Sequence, residues 1–202
     1  MFIEQWDSAV HPVMLRELQV ELEDITRNNA WKKTFERAGS YMLESNDRSN
    51  LPALQKLYNT VSDSSYLTYL ESKLKVTGII CDPHMVGAGY SQIKDYGDLK
   101  PHIDFNWNNR IKMYRVASLI IYLSTPEEGG DIEFEGIDKI AVKSNRAVLF
   151  EHSETVRHFV HPVKGIRNAV RFFYYASKLD APAGYHRSLY GLSDGKPVDV
   201  DQ

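Results

Sequence analysis

Residues 146–176 read RAVLFEHSETVRHFVHPVKGIRNAVRFFYYA. RAVLFEH, VRHFVHPV and NAVRFFYYAS are short runs rich in Val, Phe and Tyr, and VKGIR supplies a turn. β-Branched and aromatic residues in such runs, bounded by turn signals, predict strands. The texture extends upstream to about Met85 through GAGYSQIK, RVASLIIYLS and GDIEFEG, with EEGGD as a further turn. SLIIYL is apolar on both faces, as a central strand would be. Several short strands closing on one another predict a sandwich or jelly roll.

The first part of the chain has another pattern. In HPVMLRELQVELEDIT, Leu15, Leu18, Leu22 and Ile25 recur at helical spacing with charges between them. LPALQKLYNTV follows the polar turn SNDRSN, and SSYLTYLESKL starts behind serines that can cap it. Residues 12–75 therefore read as helical, packed outside the strands. The fold class expected is α+β in one domain over 1–202: a helical part about 1–78, a β-core about 85–177 and a surface tail 180–202.

Bulk properties narrow the function classes. A chain of 202 residues with 43% hydrophobic and 25% charged residues is the mix of a soluble globular domain. A net charge of −3 gives no basic surplus for a phosphate backbone, so no nucleic acid is expected. Cys81 is the single cysteine, which rules out an internal disulfide and suits a reducing compartment. No signal peptide is visible, and the longest apolar run, Val116 to Leu123, is far too short to span a bilayer. The expectation is a cytoplasmic protein with no membrane partner. The oligomeric state is not legible.

His102-Ile103-Asp104 carries the first chemical signal. Positions i and i+2 of an extended chain face one way, so an imidazole and a carboxylate meet one spot. Two histidines and a carboxylate on one face leave open positions on an octahedral iron. Downstream, Val156, His158 and Val160 share a strand face, and His161 lies on the other. His158 then points inward with the apolar residues, as a second imidazole ligand should. Arg167 follows on the next strand, with Arg171 and Phe173 on its side. An inward arginine needs an anion, and a dicarboxylate would meet it through paired hydrogen bonds. His152-Ser153-Glu154 is a competing pair. Its downstream histidines are His158 and His161, too close, and His186, in the tail.

These pieces in order resemble the prolyl 4-hydroxylase-like family of 2-oxoglutarate and Fe(II)-dependent dioxygenases. The resemblance runs through GAGYSQIKDYGDLKPHIDFNW, RVASLIIYLS, EEGGDIEF and NRAVLFEHSETVRHFVHPVKGIRNAVRFFYYAS. It implies a double-stranded β-helix, a distorted jelly roll, with the N-terminal helices packed on one sheet. It implies Fe(II) on His102, Asp104 and His158, with 2-oxoglutarate as cosubstrate and dioxygen as oxidant. The far carboxylate of 2-oxoglutarate falls on Arg167, assisted by the Tyr122 hydroxyl. Ser124 departs from the family, which usually has Asn there. The activity implied is hydroxylation of an unactivated C–H, on a prolyl residue of a peptide or protein. The alternatives are a small-molecule substrate, such as a free amino acid or a sugar-linked metabolite, and a catalytically silent jelly-roll binding module. Candidate substrate residues are Tyr90, Gln92, Asn106, Trp107, Arg115 and Arg171.

Overall fold

The computed structural model describes residues 1–37, 40–153, 156–177, 189–191 and 197–199, with backbone pairing alone at 33–37, 40–45, 189–191 and 197–199. The chain opens with β1 (Ile3–Asp7), α1 (Pro12–Arg27), β2 (Lys33–Arg37), β3 (Ser40–Ser45), α2 (Pro52–Val61) and α3 (Ser64–Leu74). There follow β4 (Ile80–Cys81), β5 (Gly89–Lys94), β6 (Leu99–Ile103), β7 (Trp107–Asn108) and β8 (Met113–Tyr122). Then come β9 (Glu128–Gly129), β10 (Ile132–Phe134), β11 (Arg146–Glu151), β12 (His158–Val160), β13 (Val163–Lys164) and β14 (Ile166–Ala176). β15 (Leu189–Gly191) and β16 (Pro197–Asp199) complete the described strands.

The larger sheet runs β1-β11-β8-β14-β5-β3-β2, and the smaller one β10-β12-β6-β15-β16. β8 and β14 lie at the centre and are buried on both faces. On one face, Leu119, Ile121, Val170 and Phe172 pack against Leu18 and Leu22 of α1 and Leu54 and Leu57 of α2. On the other, Ile120, Tyr122, Val148 and Phe150 meet Ile132 and Phe134 of the small sheet. Each fully buried Leu or Phe contributes about 1.5–3 kcal/mol. The result is the expected α+β arrangement: a double-stranded β-helix with helices on one sheet only.

The helix layer is tied down by polar contacts as well. Leu51, at the start of α2, has no side chain to cap the helix. Glu21 of α1 does this instead, its carboxylate accepting from Ala53 N at 2.8 Å and Leu54 N at 2.9 Å. Tyr90 on β5 donates its hydroxyl to the same carboxylate at 2.7 Å. One side chain thus joins two helices and the large sheet.

The expected helical stretch differs in its middle. β2 and β3 form a hairpin that extends the large sheet through β3 and β5, with Leu43 opposite Gln92. KTFER and SYMLES mix charged and apolar residues without a clear period of two, and only AGS marks a turn. β1 adds a strand at the other edge, on β11. The expected surface tail also contributes strands: Leu189 pairs with Ile103 and Tyr190 with His102. Among the described residues no helix is long and apolar enough to cross a membrane.

Candidate metal centre

His102 sits near the end of β6, and His158 opens β12 directly across from it. Directly paired residues of antiparallel strands share a face. Their rings accordingly come to 4.4 Å between centroids, and both are buried. Asp104 follows β6 by one residue and returns its carboxylate to the pair. Its Oδ1 lies 3.3 Å from His102 Nε2, and its Oδ2 3.7 Å from His158 Nε2. The three offer ligand atoms all within 4.8 Å of one another. Asp104 is the most open of the three, with a side-chain exposure of 18%.

The imidazoles are held in the tautomer a metal needs. His102 Nδ1 lies 2.7 Å from Lys100 O, and His158 Nδ1 3.4 Å from Val156 O. A carbonyl can only accept, so Nδ1 carries the proton and Nε2 presents its lone pair. Burial, then the neighbouring His102, depresses the His158 pKa from its ordinary 6.5 to about 4. His158 is therefore neutral at physiological pH. Burial alone would raise the Asp104 pKa, but Arg115 and the histidines outweigh it and hold the carboxyl well below the usual range. Two imidazoles and one carboxylate are the donor set that suits a non-haem Fe(II) with open positions.

A second set of polar groups lies on β14. Arg167, Ala169, Arg171 and Phe173 alternate onto the face that turns from the helices to the small sheet. Arg167 is 3% exposed. It donates from Nε to Gly130 O at 2.9 Å and from Nη2 to Tyr122 Oη at 3.3 Å. Because the Tyr122 oxygen accepts from arginine, its own proton is left to donate elsewhere. Burial raises its pKa, so that proton stays in place at neutral pH. A carboxylate arriving here would meet a guanidinium and a phenol together. Two glycines make the site possible. A Cβ on Gly129 would lie 2.0 Å from Pro162 O, and one on Gly130 would lie 3.2 Å from Arg167 Cδ. Both have positive φ, as the turn between the sheets requires.

The remaining sequence candidates divide. Tyr90 and Gln92 are not at the site. Both faces of β5 are buried, and these side chains take the helix face. Tyr90 binds Glu21, and Gln92 donates to Asn168 Oδ1 in a cleft of about 510 Å³ shared with Gln19 and Leu22 of α1. Trp107 is turned into its own hairpin, donating to Asn109 Oδ1 and packing edge-on against Tyr114. Asn106 is buried behind Asp104, and its carbonyl accepts from Arg115 N. Arg171 lies on the cleft face and donates to Gly87 O at 3.0 Å. Arg115 is buried and donates to Asp104 Oδ2 at 2.9 Å.

Two residues with no assigned part in the sequence reading stand beside the triad. Ser118 accepts from Arg115 at 2.6 Å and lies 2.7 Å from His152 Nε2. His152 Nε2 is also 3.7 Å from Asp104 Oδ2. The rejected His-x-carboxylate pair is thus half present at the centre, as a neighbour of Asp104. Its Glu154, like His186, lies outside the described residues.

Residues 88–175 match the model of the 2OG-Fe(II) oxygenase superfamily. They form a 2OG-Fe(II) oxygenase domain. The enzyme is a dioxygenase of this kind, with Fe(II), 2-oxoglutarate and dioxygen as its reagents. Its fold is similar to that of a prolyl-4-hydroxylase from Pseudomonas putida, at 14% identity and a TM-score of 0.67, over 87% of this chain and 92% of the other. A prolyl hydroxylase from Trichoplax adhaerens, solved with a hypoxia inducible factor peptide fragment, gives 16% identity and a TM-score of 0.64 over 86% and 83%. A viral collagen prolyl hydroxylase from Paramecium Bursaria Chlorella virus-1, in a 2OG complex, gives 17% and 0.59 over 88% and 97%. At these identities the likeness is one of fold. No curated protein sequence matches the oxygenase.

Proposed function

We propose that this oxygenase hydroxylates a prolyl residue in a peptide or protein, with iron on His102, Asp104 and His158 and the far carboxylate of 2-oxoglutarate on Arg167 and Tyr122. The observation that carries the metal assignment is the convergence of the three ligand atoms within 4.8 Å between facing strands. The prolyl substrate is supported by its structural relatives, all three of them prolyl hydroxylases. A peptide is supported by the fragment held in the Trichoplax protein.

Iron, 2-oxoglutarate and dioxygen together supply the oxidation of a C–H bond, with succinate and carbon dioxide as co-products. The chain's residues do the rest. His102 and His158 keep their Nδ1 atoms on backbone carbonyls and so hold their Nε2 atoms towards Asp104. Arg167 and Tyr122 anchor the cosubstrate's distal end, which fixes its reach towards the triad. Ile93, Val160 and Val163, buried together between the sheets, exclude water from that path.

The test is succinate release with a panel of prolyl peptides, free amino acids and nucleotide sugars, beside an anaerobic spectrum with Fe(II) and 2-oxoglutarate. A weak visible charge-transfer band and peptide-dependent succinate are expected. Asp104→Ala or His102→Ala should abolish both. No band and no succinate with any substrate would overturn the reading, and turnover of a small molecule alone would replace the peptide.

A further inference from the structure

Helix α1 has two apolar sides. Leu18, Leu22 and Ile25 are buried against the rest of the fold. Val13 and Val20 lie on the opposite side and are 57% and 40% exposed. Residues seven apart in a helix share a face, so the two valines line up along α1. Among the described residues they line a groove of about 1210 Å³, whose far wall is Leu51, Pro52 and Ala53 at the start of α2. Single exposed valines need no explanation, but a groove of this size with apolar walls marks a contact surface. It lies on the helix layer, across the large sheet from the metal centre.

The charges in the groove decide what fits it. Arg16 and Glu17 sit between the two valines and also line the groove. The stripe Val13, Arg16, Glu17, Val20 has like apolar ends and opposite charges about its centre. A second α1 laid antiparallel, about a two-fold axis between residues 16 and 17, sets Val13 against Val20 of the second copy and Arg16 against its Glu17. The symmetry makes each contact twice. A parallel helix would set Arg16 against Arg16 and Glu17 against Glu17, and like charges facing across an interface suppress it. Within one copy Arg16 pairs with Glu23 at 3.6 Å and Glu17 with Lys56 at 2.9 Å, all well exposed. Surface pairs of this kind are worth little and can be exchanged for pairs between copies.

We propose that the groove between α1 and α2 is a docking surface for a second copy of this chain, formed by antiparallel pairing of the two α1 helices. A helix of 16 residues is about 24 Å long, so the interface is small and the dimer reversible. The metal centres lie on the other side of the large sheets and stay clear of it.

Sedimentation equilibrium of the full chain at low ionic strength tests this. The mass should rise from one copy towards two as concentration passes through the micromolar range. Val20→Glu sets a carboxylate against Val13 and should hold the protein as single copies. Arg16→Glu alone and Glu17→Arg alone should each weaken the dimer about tenfold or more, because like charges then meet twice. Mixed in equal amounts, these two variants should form a dimer with one of each. Arg16→Glu and Glu17→Arg in the same chain should restore the dimer as well. The positions are exposed or half-buried, so circular dichroism should show each variant folded. A protein that stays single to its highest soluble concentration overturns the proposal and leaves the groove to a helix of another protein. A dimer that Val20→Glu leaves intact overturns the surface. Charge variants that dimerise as well alone as when mixed overturn the antiparallel register.

Discussion

Arg167 and Tyr122 show how much one hydroxyl and one guanidinium can be asked to do. The arginine is pinned by the Gly130 carbonyl, so its approach to an anion is set before the anion arrives. Arg167→Met should raise KM for 2-oxoglutarate by 100-fold or more, since a charge-assisted pair and a buried cation are both lost, about 3 kcal/mol. Tyr122→Phe removes one donor and should raise it roughly tenfold, about 1.4 kcal/mol. Steady-state kinetics in 2-oxoglutarate decide both, and unchanged KM in Arg167→Met would contradict the assignment. His158 gives a pH prediction. Its folded pKa of about 4 lies below the ordinary 6.5, so in that window the unfolded chain takes up a proton that the folded protein does not. The metal-free protein should therefore lose stability as pH falls from about 6.5 to 4, by up to roughly 3 kcal/mol. Denaturant unfolding at pH 7 and pH 4.5 should show this loss, and His158→Asn should remove it. The triad itself was legible in the sequence because strand parity is a local property. The contact of Arg115 with Asp104 was not, because the register of β8 on β14 slips by one residue at Val116, and HIDFNWNNRIKMYRVAS carries no mark of the slip.

At the level of elements, turns and strand faces decide what the residues can reach. The Gly129–Gly130 turn brings its carbonyl to Arg167 and leaves no room for a methyl group. Gly130→Ala should cost about 1 kcal/mol or more in stability from its positive φ, and raise KM for 2-oxoglutarate by displacing Arg167. Thermal melting with cosubstrate kinetics checks both, and an unaltered KM would detach the turn from the binding site. Glu21 makes the opposite prediction. Glu21→Ala should lower stability by about 1–3 kcal/mol, because two helix-start amides and Tyr90 lose their acceptor. KM for 2-oxoglutarate should not move, since Glu21 lies on the far side of the sheet. The same sidedness explains why Tyr90 and Gln92 misled: a strand buried on both faces gives parity but not which face meets the cleft. The β2–β3 hairpin escaped notice for another reason. Its sequence lacks alternation, and its pairing with β5 is a long-range contact that no local pattern announces.

The two main sheets face each other, with the triad on the smaller and the Arg167–Tyr122 pair on the larger. A metal with cosubstrate would therefore bridge the sheets, and binding should stabilise the entire fold. At ligand concentrations about 100 times Kd the gain is about 2.7 kcal/mol, or roughly 5–10 °C in Tm for a chain of this size. Mn(II) alone should give part of that shift, and Mn(II) with 2-oxoglutarate the full one. A shift with Mn(II) that 2-oxoglutarate does not enlarge would argue against a bridging site. The overall architecture was readable because helix and strand periodicities occupy separate stretches of the chain. Strand order was not, since it follows from pairings between distant residues.

The paired histidines have one more consequence. Each imidazole is held by the carbonyl two residues before it, and the two strands that carry the histidines are paired to each other. Imidazole and carboxylate donors suit most first-row divalent cations, so the donor types alone select poorly among ions of similar size. Intrinsic affinity then follows the Irving–Williams order, in which Ni(II), Cu(II) and Zn(II) outrank Fe(II). The supply of ions sets occupancy, and protein taken over a nickel resin should come away inhibited. Chelation followed by anaerobic Fe(II) should restore it without any refolding step.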